Sequence, residues 1–226
     1  MYRSGILSLC VATALLAQSV SAQAQSELPA QETETLVQKL QNQRSRTPSL
    51  TADFSEEKTS RILAKPLETR GTLAFQAPNK FRREVKGANP STVVSDGTQL
   101  WIYYPNFNEA ELYTLGQRAF FDDAIAALTA GLNFQHVAEF YKFRAFREPG
   151  GYRFELTPKT GGARKVVREI SVWMDSELMI EKTEATLPKG DRVVTRYHNQ
   201  RVGSVPASRF EFTPPADAKI SQPLSK

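Results

Sequence analysis

The chain has 226 residues, a formal charge of +5, two histidines and a single cysteine. That cysteine, Cys10, lies in an N-terminal apolar run that reads as a leader. The remaining chain therefore holds no disulfide, thiolate nucleophile or cysteine zinc site. A modest positive charge suits acidic partners or anionic headgroups, while an export signal and the absence of a recognised nucleic-acid motif exclude nucleic acid.

Arg3 precedes the apolar run from Ile6 to Ala17, and Ala22-Gln23-Ala24 has the small-x-small pattern of a signal-peptidase site. Cleavage is expected after Ala24. The run is about a dozen residues, short of the roughly twenty that a spanning helix needs, so the expectation is a soluble protein exported to the periplasm. Leu9 stands before Cys10, where an acylated lipoprotein needs a small residue, so the chain is not expected to be lipidated itself. Residues 25–226 contain no Pro/Gly/Ser linker or composition shift and read as one domain.

Within that domain, Leu36, Val37 and Leu40 recur at helical spacing and predict an amphipathic helix over Glu32 to Arg44. Pro48 ends that region. From Ser49 the period becomes two, with Leu50, Ala52 and Phe54 alternating against Thr51, Asp53 and Ser55 in a half-buried strand. A second strand follows Pro66, with Gly71, Leu73, Phe75 and Ala77 on one face, and Pro78-Asn79 turns it back. Phe81 to Val85 returns, and Thr92 to Ser95 leads into Asp96-Gly97, a two-residue hairpin signal. Leu100 to Tyr104 is apolar or aromatic throughout, so both faces of that strand should be covered. Glu111 to Leu115 reads as a shorter strand.

Ala119 to Leu132 is the strongly helical stretch of the mid-chain. Phe121, Ile125 and Leu128 share a face, Asp122 and Asp123 oppose the positive end of the helix dipole, and Gly131 is a stop. A small apolar helix inserted between strands reads either as ordinary core packing or as a lid over an apolar cavity. Asn133 to Phe140 extends this helical region. The remainder is a meander. Phe143 to Arg147, Tyr152 to Thr157, Val166 to Met174, Met179 to Thr186 and Val193 to Gln200 are separated by Gly- and Pro-rich turns. About ten strands in one strongly curved sheet or barrel, with two or three short helices, is the expectation.

Four stretches occur in order along this frame: FQAPNKF (Phe75 to Phe81), VVSDGTQLWIYYP (Val93 to Pro105), FELTPK (Phe154 to Lys159) and RFEFTPP (Arg209 to Pro215). Together they make the chain resemble LolA, the periplasmic outer-membrane lipoprotein carrier family. The resemblance implies a mainly β fold, an incomplete antiparallel β-barrel whose concave apolar face is closed by a helical lid. It also implies a monomeric chaperone that takes acylated lipoproteins from an inner-membrane ABC exporter to an outer-membrane acceptor lipoprotein. No cofactor or metal is expected. On that resemblance the cavity is expected to be lined by Leu73, Phe75, Phe81, Trp101, Tyr103, Phe154 and Leu156. The lid is expected to present Leu36, Leu40, Phe120, Phe121, Ile125 and Leu128. Much of the family carries a lid-latching arginine just before the Pro-Asn turn; here that position is Ala77, and Arg82 or Arg83 across the turn is the candidate replacement. The departure leaves room for a paralogue that carries another lipid or glycolipid. A lipoprotein-sensing regulatory domain is a further alternative.

Enzyme readings find little support. His136 and His198 stand in no nucleophile or metal motif, and no GxSxG, HExxH or GxGxxG occurs. Adjacent Glu56 and Glu57 on a strand point to opposite faces, the wrong arrangement for an acid/base pair. The basic clusters Lys80, Arg82, Arg83, Lys86 and Arg164, Lys165, Arg168 read as solvated faces or as docking surfaces for acidic partners or lipid headgroups.

Overall fold

The computed structural model describes residues 26–46, 48–116, 132, 134 and 137–223. The expected leader and cleavage site, the mid-chain segment 117–131 and His136 lie outside them, so Phe120, Phe121, Ile125 and Leu128 are not placed. Alternation of apolar and polar residues resolves into strands β1 (Ser26–Glu27), β2 (Ser49–Thr59), β3 (Leu67–Gln76), β4 (Lys80–Lys86), β5 (Ser91–Ser95), β6 (Gln99–Tyr104) and β7 (Glu109–Thr114). The second half supplies β8 (Tyr141–Glu148), β9 (Gly151–Pro158), β10 (Glu169–Asp175), β11 (Ile180–Thr186), β12 (Arg192–Val202) and β13 (Lys219–Ser221).

All thirteen join one strongly curved sheet in the order β1-β8-β9-β10-β11-β12-β2-β3-β4-β5-β6-β7-β13. Two meanders meet where β2 pairs with both β3 and β12. The short edges β1 and β13 do not pair with each other, so the barrel is open. These two- and three-residue edges account for two of the three strands beyond the ten expected, because they are too short to show a period.

Register puts every second residue of neighbouring strands on one face. Leu50 faces Phe75, which faces Phe81; Ala52 faces Leu73. Across the other half Phe154 lies between Ala145 and Val172, and Leu156 between Phe143 and Ile170. These residues and helix α1 (Ala30–Arg46) share one hydrophobic cluster. The helix lays Leu36, Val37 and Leu40 into it, and Leu40 is fully buried. Its C-terminal end is pinned to the β10–β11 turn, where Gln43 Nε2 donates to the Glu177 carbonyl at 3.0 Å and Arg44 Nη2 donates to the Leu178 carbonyl at 3.1 Å.

Three local readings shift. The hairpin signal at Asp96-Gly97 is correct in place, but Gly97 and Thr98 are the central residues: Asp96 N donates to the Gln99 carbonyl, and the Asp96 carboxylate accepts from the amides of Thr98 and Gln99. Gly97 has φ 98°, a value that suits glycine. Residues 161–164 form a helical turn whose N-terminus is capped by Thr160 Oγ1, so β10 begins at Glu169 and not at Val166. Of the stretch 133–140, Val137–Phe140 is helical among the described residues.

After β12 the chain crosses to the outer face. A 3-10 turn, Ala207–Phe210, leads to a segment whose Phe212 ring lies 5.9 Å from Trp101 and 5.7 Å from Tyr103, and β13 then runs parallel to β7. Phe210 is buried beneath this crossing, as are Val94 and Ala110 on the sheet.

Candidate functional site

The inner wall of the curved sheet is a largely apolar surface contributed by both meanders and partly covered by α1. Of the seven cavity residues expected from sequence, Leu73, Phe75, Phe81, Phe154 and Leu156 sit together in this wall, each buried. Trp101 and Tyr103 do not. The β5–β6 register pairs Trp101 with Val94 and Val93 with Ile102, and Val93 in turn faces Arg83 beside Leu73. Ile102 therefore points to the wall, while Trp101 and Tyr103 point outward to Phe212. A strand apolar at every position carries no parity signal, which is why the set expected from sequence is the wrong alternate one.

Arg82 and Arg83 are likewise sent to opposite faces. Arg82 lies outside, with Nε donating to Glu84 at 2.6 Å and Nη1 to the Glu211 carbonyl at 3.3 Å, so it is not placed over the wall. Arg83 lies inside, its guanidinium 2.9 Å from Glu56 and 4.4 Å from the centroid of the Phe54 ring. Glu56 also accepts from Thr195 Oγ1 at 3.0 Å, and next to Thr195 on the same face Tyr197 shares a hydrogen bond with Thr183 at 3.3 Å. Burial pushes the Tyr197 phenol above its usual range, against the hydrogen bond from Thr183. A polar strip thus crosses an otherwise apolar wall. The alternation Phe81, Arg83, Val85 would have revealed the inward arginine, but its partner Glu56 comes from a different hairpin.

A second polar group lies nearer the β7 edge, where Tyr113 Oη donates to Glu111 at 2.6 Å. Burial and that carboxylate drive the Tyr113 phenol far above its usual range, so it stays neutral and keeps the proton it donates to Glu111. Phe54, Leu50 and Val172 complete the wall and were not among the expected lining residues. Between α1 and the β8–β9 hairpin opens a cleft of about 520 Å³, edged by Leu28, Leu36, Arg147 and Tyr152.

The wall offers apolar contact and few reactive groups. Ser55 Oγ lies 3.1 Å from His198 Nε2, but both are on the outer face, and the neighbouring Asp53 carboxylate accepts from Asn199 at 2.7 Å. Among the described residues no third group orients the imidazole, so the pair lacks the geometry of an activated nucleophile. Among the same residues no cluster of three or more His, Cys, Asp or Glu is set to hold a metal ion. Nor, among them, is any helix long and apolar enough to cross a membrane.

Known proteins agree with this geometry. The chain is 30% identical over 179 residues to an outer-membrane lipoprotein carrier protein of Dechloromonas aromatica (strain RCB), covering 77% of this chain and 81% of that one. It is 30% identical over 188 residues to the protein of the same description in Proteus mirabilis (strain HI4320), covering 81% and 86%. Among solved structures, an uncharacterized conserved protein from Thermus thermophilus superposes with a TM-score of 0.50 at 10% identity, covering 84% of this chain and 99% of that one, which speaks to the fold alone. The profile of the family described as outer membrane lipoprotein carrier protein LolA matches residues 45–213, a span that runs from the end of α1 to the segment over Trp101. The open barrel with its apolar inner wall is thus the fold of a known group, and this chain belongs to the LolA family of outer membrane lipoprotein carrier proteins.

Proposed function

We propose that the protein is exported by a signal peptide ending at Ala24, that residues 25–226 act as one carrier domain, and that its inner wall shields lipoprotein acyl chains in transit from the inner to the outer membrane. The observation that carries this reading is the largely apolar wall of two meanders with α1 packed against it. An inner-membrane ABC exporter and an outer-membrane acceptor lipoprotein are the partners such a route needs.

Energetics set the design. Each buried methylene contributes about 0.8 kcal/mol, so one fully enclosed chain of around fifteen carbons contributes roughly 12 kcal/mol. Three such chains would not leave on any useful timescale. A carrier that spends no nucleotide needs incomplete enclosure and a cover that competes with the cargo for the same surface. Leu36, Val37 and Leu40 of α1 are such a cover on the described side, and 120–131 is the proposed remainder of the lid. Arg83 is the proposed latch in place of Ala77, because it is the arginine of the pair that faces inward.

An environment-sensitive apolar dye should bind the mature protein saturably and be displaced by an acylated lipopeptide. Phe81→Asp should abolish this binding, whereas Trp101→Ala, on the outer face, should leave the dye affinity within about twofold. Absence of saturable binding would remove the carrier reading.

A further inference from the structure

The strands alternate in direction, so each turn belongs to one of two ends of the barrel. At one end lie the β2–β3, β4–β5, β6–β7 and β11–β12 turns, the β9–β10 connection, and the starts of β8 and β13. Cross-links tie neighbours along this rim: Asn106 Nδ2 donates to the Ala88 carbonyl at 2.7 Å, and Lys58 lies 4.0 Å from Asp191.

The two ends differ in chemistry. Among the described residues, the exposed large hydrophobics Ile62, Leu63, Leu67, Phe107, Phe140 and Ile220 all fall at this rim, and only Val202 falls elsewhere. Ile62, at 91% exposed, and Phe107, at 69%, sit on turns and add little to the core. The turn and connecting residues here also carry Arg61, Lys65, Lys159, Arg164, Lys165, Arg168 and Lys189, against Glu139, Asp191 and Asp217, of which Asp191 already faces Lys58. The turns Ala77–Asn79, Asp96–Thr98, Pro149–Gly150 and Ser176–Met179 at the opposite end carry Asp96 and Glu177 and no cation.

We infer that this rim is a docking surface for an anionic lipid bilayer, with the Arg61-Ile62-Leu63-Ala64-Lys65 turn as its anchor. Cations beside the tip meet headgroup phosphates while Ile62 and Leu63 enter the headgroup–acyl boundary. The apolar side chains stand on separate turns around a rim and form no continuous groove. A folded protein partner needs a contiguous complementary patch, whereas a fluid bilayer accommodates separate protrusions. The charge asymmetry sets the orientation, this end toward the membrane. Docking here is independent of the cargo reading, since it uses outer turn residues and no part of the inner wall.

Co-sedimentation with vesicles tests it, using phosphatidylglycerol mixed into phosphatidylcholine against phosphatidylcholine alone, with no lipoprotein present. The mature protein should bind the anionic vesicles, and added salt should weaken binding. Arg61→Ala with Lys65→Ala, and Lys165→Ala with Arg168→Ala, should each cost roughly tenfold or more. Ile62→Ser with Leu63→Ser should cost roughly tenfold. All of these variants should keep the thermal midpoint and the dye affinity of the parent, because the residues changed lie outside the wall. Failure of the parent to bind anionic vesicles overturns the inference. So does binding that the Ile62/Leu63 variant leaves intact, which would reduce the contact to charge alone.

Discussion

Neighbouring arginines with opposite fates show how much one step along a strand decides. Arg83 sits in the apolar wall and is held there by Glu56 and by the face of Phe54, whereas Arg82 joins Glu84 on the outside. Glu84 also lies 3.6 Å from Arg209 and accepts from Thr72, so it fastens the C-terminal segment to β4. Desolvation would push its carboxyl upward, but the hydrogen bond and charge of Arg82, the charge of Arg209 and the bond from Thr72 outweigh it and hold Glu84 below the ordinary carboxylate range. A depressed folded value means that the unfolded chain takes up its proton first as pH falls. The stabilisation is therefore complete above the ordinary value of about 4.3 and is lost as pH drops through the folded one. Accordingly, Glu84→Gln should be less stable than the parent at neutral pH, and the gap should close below about pH 4. In a Trp173→Phe background, the emission of Trp101, which packs on Phe212, should report the same loosening of the segment.

At the scale of elements, α1 joins the fold to the proposed cargo surface. Its sequence is mostly polar, and its stability comes from one buried stripe and from the pins at Gln43 and Arg44. Leu40 is 0% exposed at the centre of that stripe. Leu40→Ala should lower stability by about 2–5 kcal/mol through lost burial and the cavity left behind. Because α1 covers the wall, the same variant should take up an apolar dye faster than the parent in stopped flow. Slower or unchanged uptake would separate the helix from the cover and leave it a core element only. Strand β3 is equally constrained. A Cβ added at Gly71 would lie 1.8 Å from the Glu84 carbonyl oxygen and 2.8 Å from the Phe54 ring, so the strands approach as closely as they do because glycine stands there.

Taken whole, the molecule is a sheet with two apolar faces put to different uses. The inner wall is covered by a helix. On the outer face the aromatic patch of Trp101 and Tyr103 is covered by the chain's own C-terminal segment, fixed by Asn108 Nδ2 to the Asp217 carbonyl at 3.1 Å and by β13 beside β7. Phe212→Ala should therefore lower stability by about 1–2 kcal/mol while leaving dye affinity unchanged, since it touches only the outer side. A calorimetric midpoint measured beside a dye titration checks both halves. Loss of dye binding in that variant would mean that the two faces are coupled through the sheet.

The chain's own letters determined the class, most of the elements and much of the wall. Period-two runs bounded by Gly and Pro mark strands because alternation is a local geometric fact, and the 3.6-residue spacing of Leu36 and Leu40 marks α1 for the same reason. Leu73, Phe75 and Phe81 were legible as one face because their hairpin is short and its register follows from the turn. Four things were not legible. The parity of β6 was hidden by apolar residues at every position, and the segment that covers Trp101 and Tyr103 arrives from more than a hundred positions later. The Glu56–Arg83–Thr195 strip draws on strands from both meanders, β2, β4 and β12. The edges β1 and β13 exist only because long neighbours offer them a template. The basic, apolar rim is scattered along the sequence and becomes one surface only when alternating strand directions bring its turns to the same end. Alternation says which residues go together; the long-range pairing that closes two meanders on β2 decides which way they point.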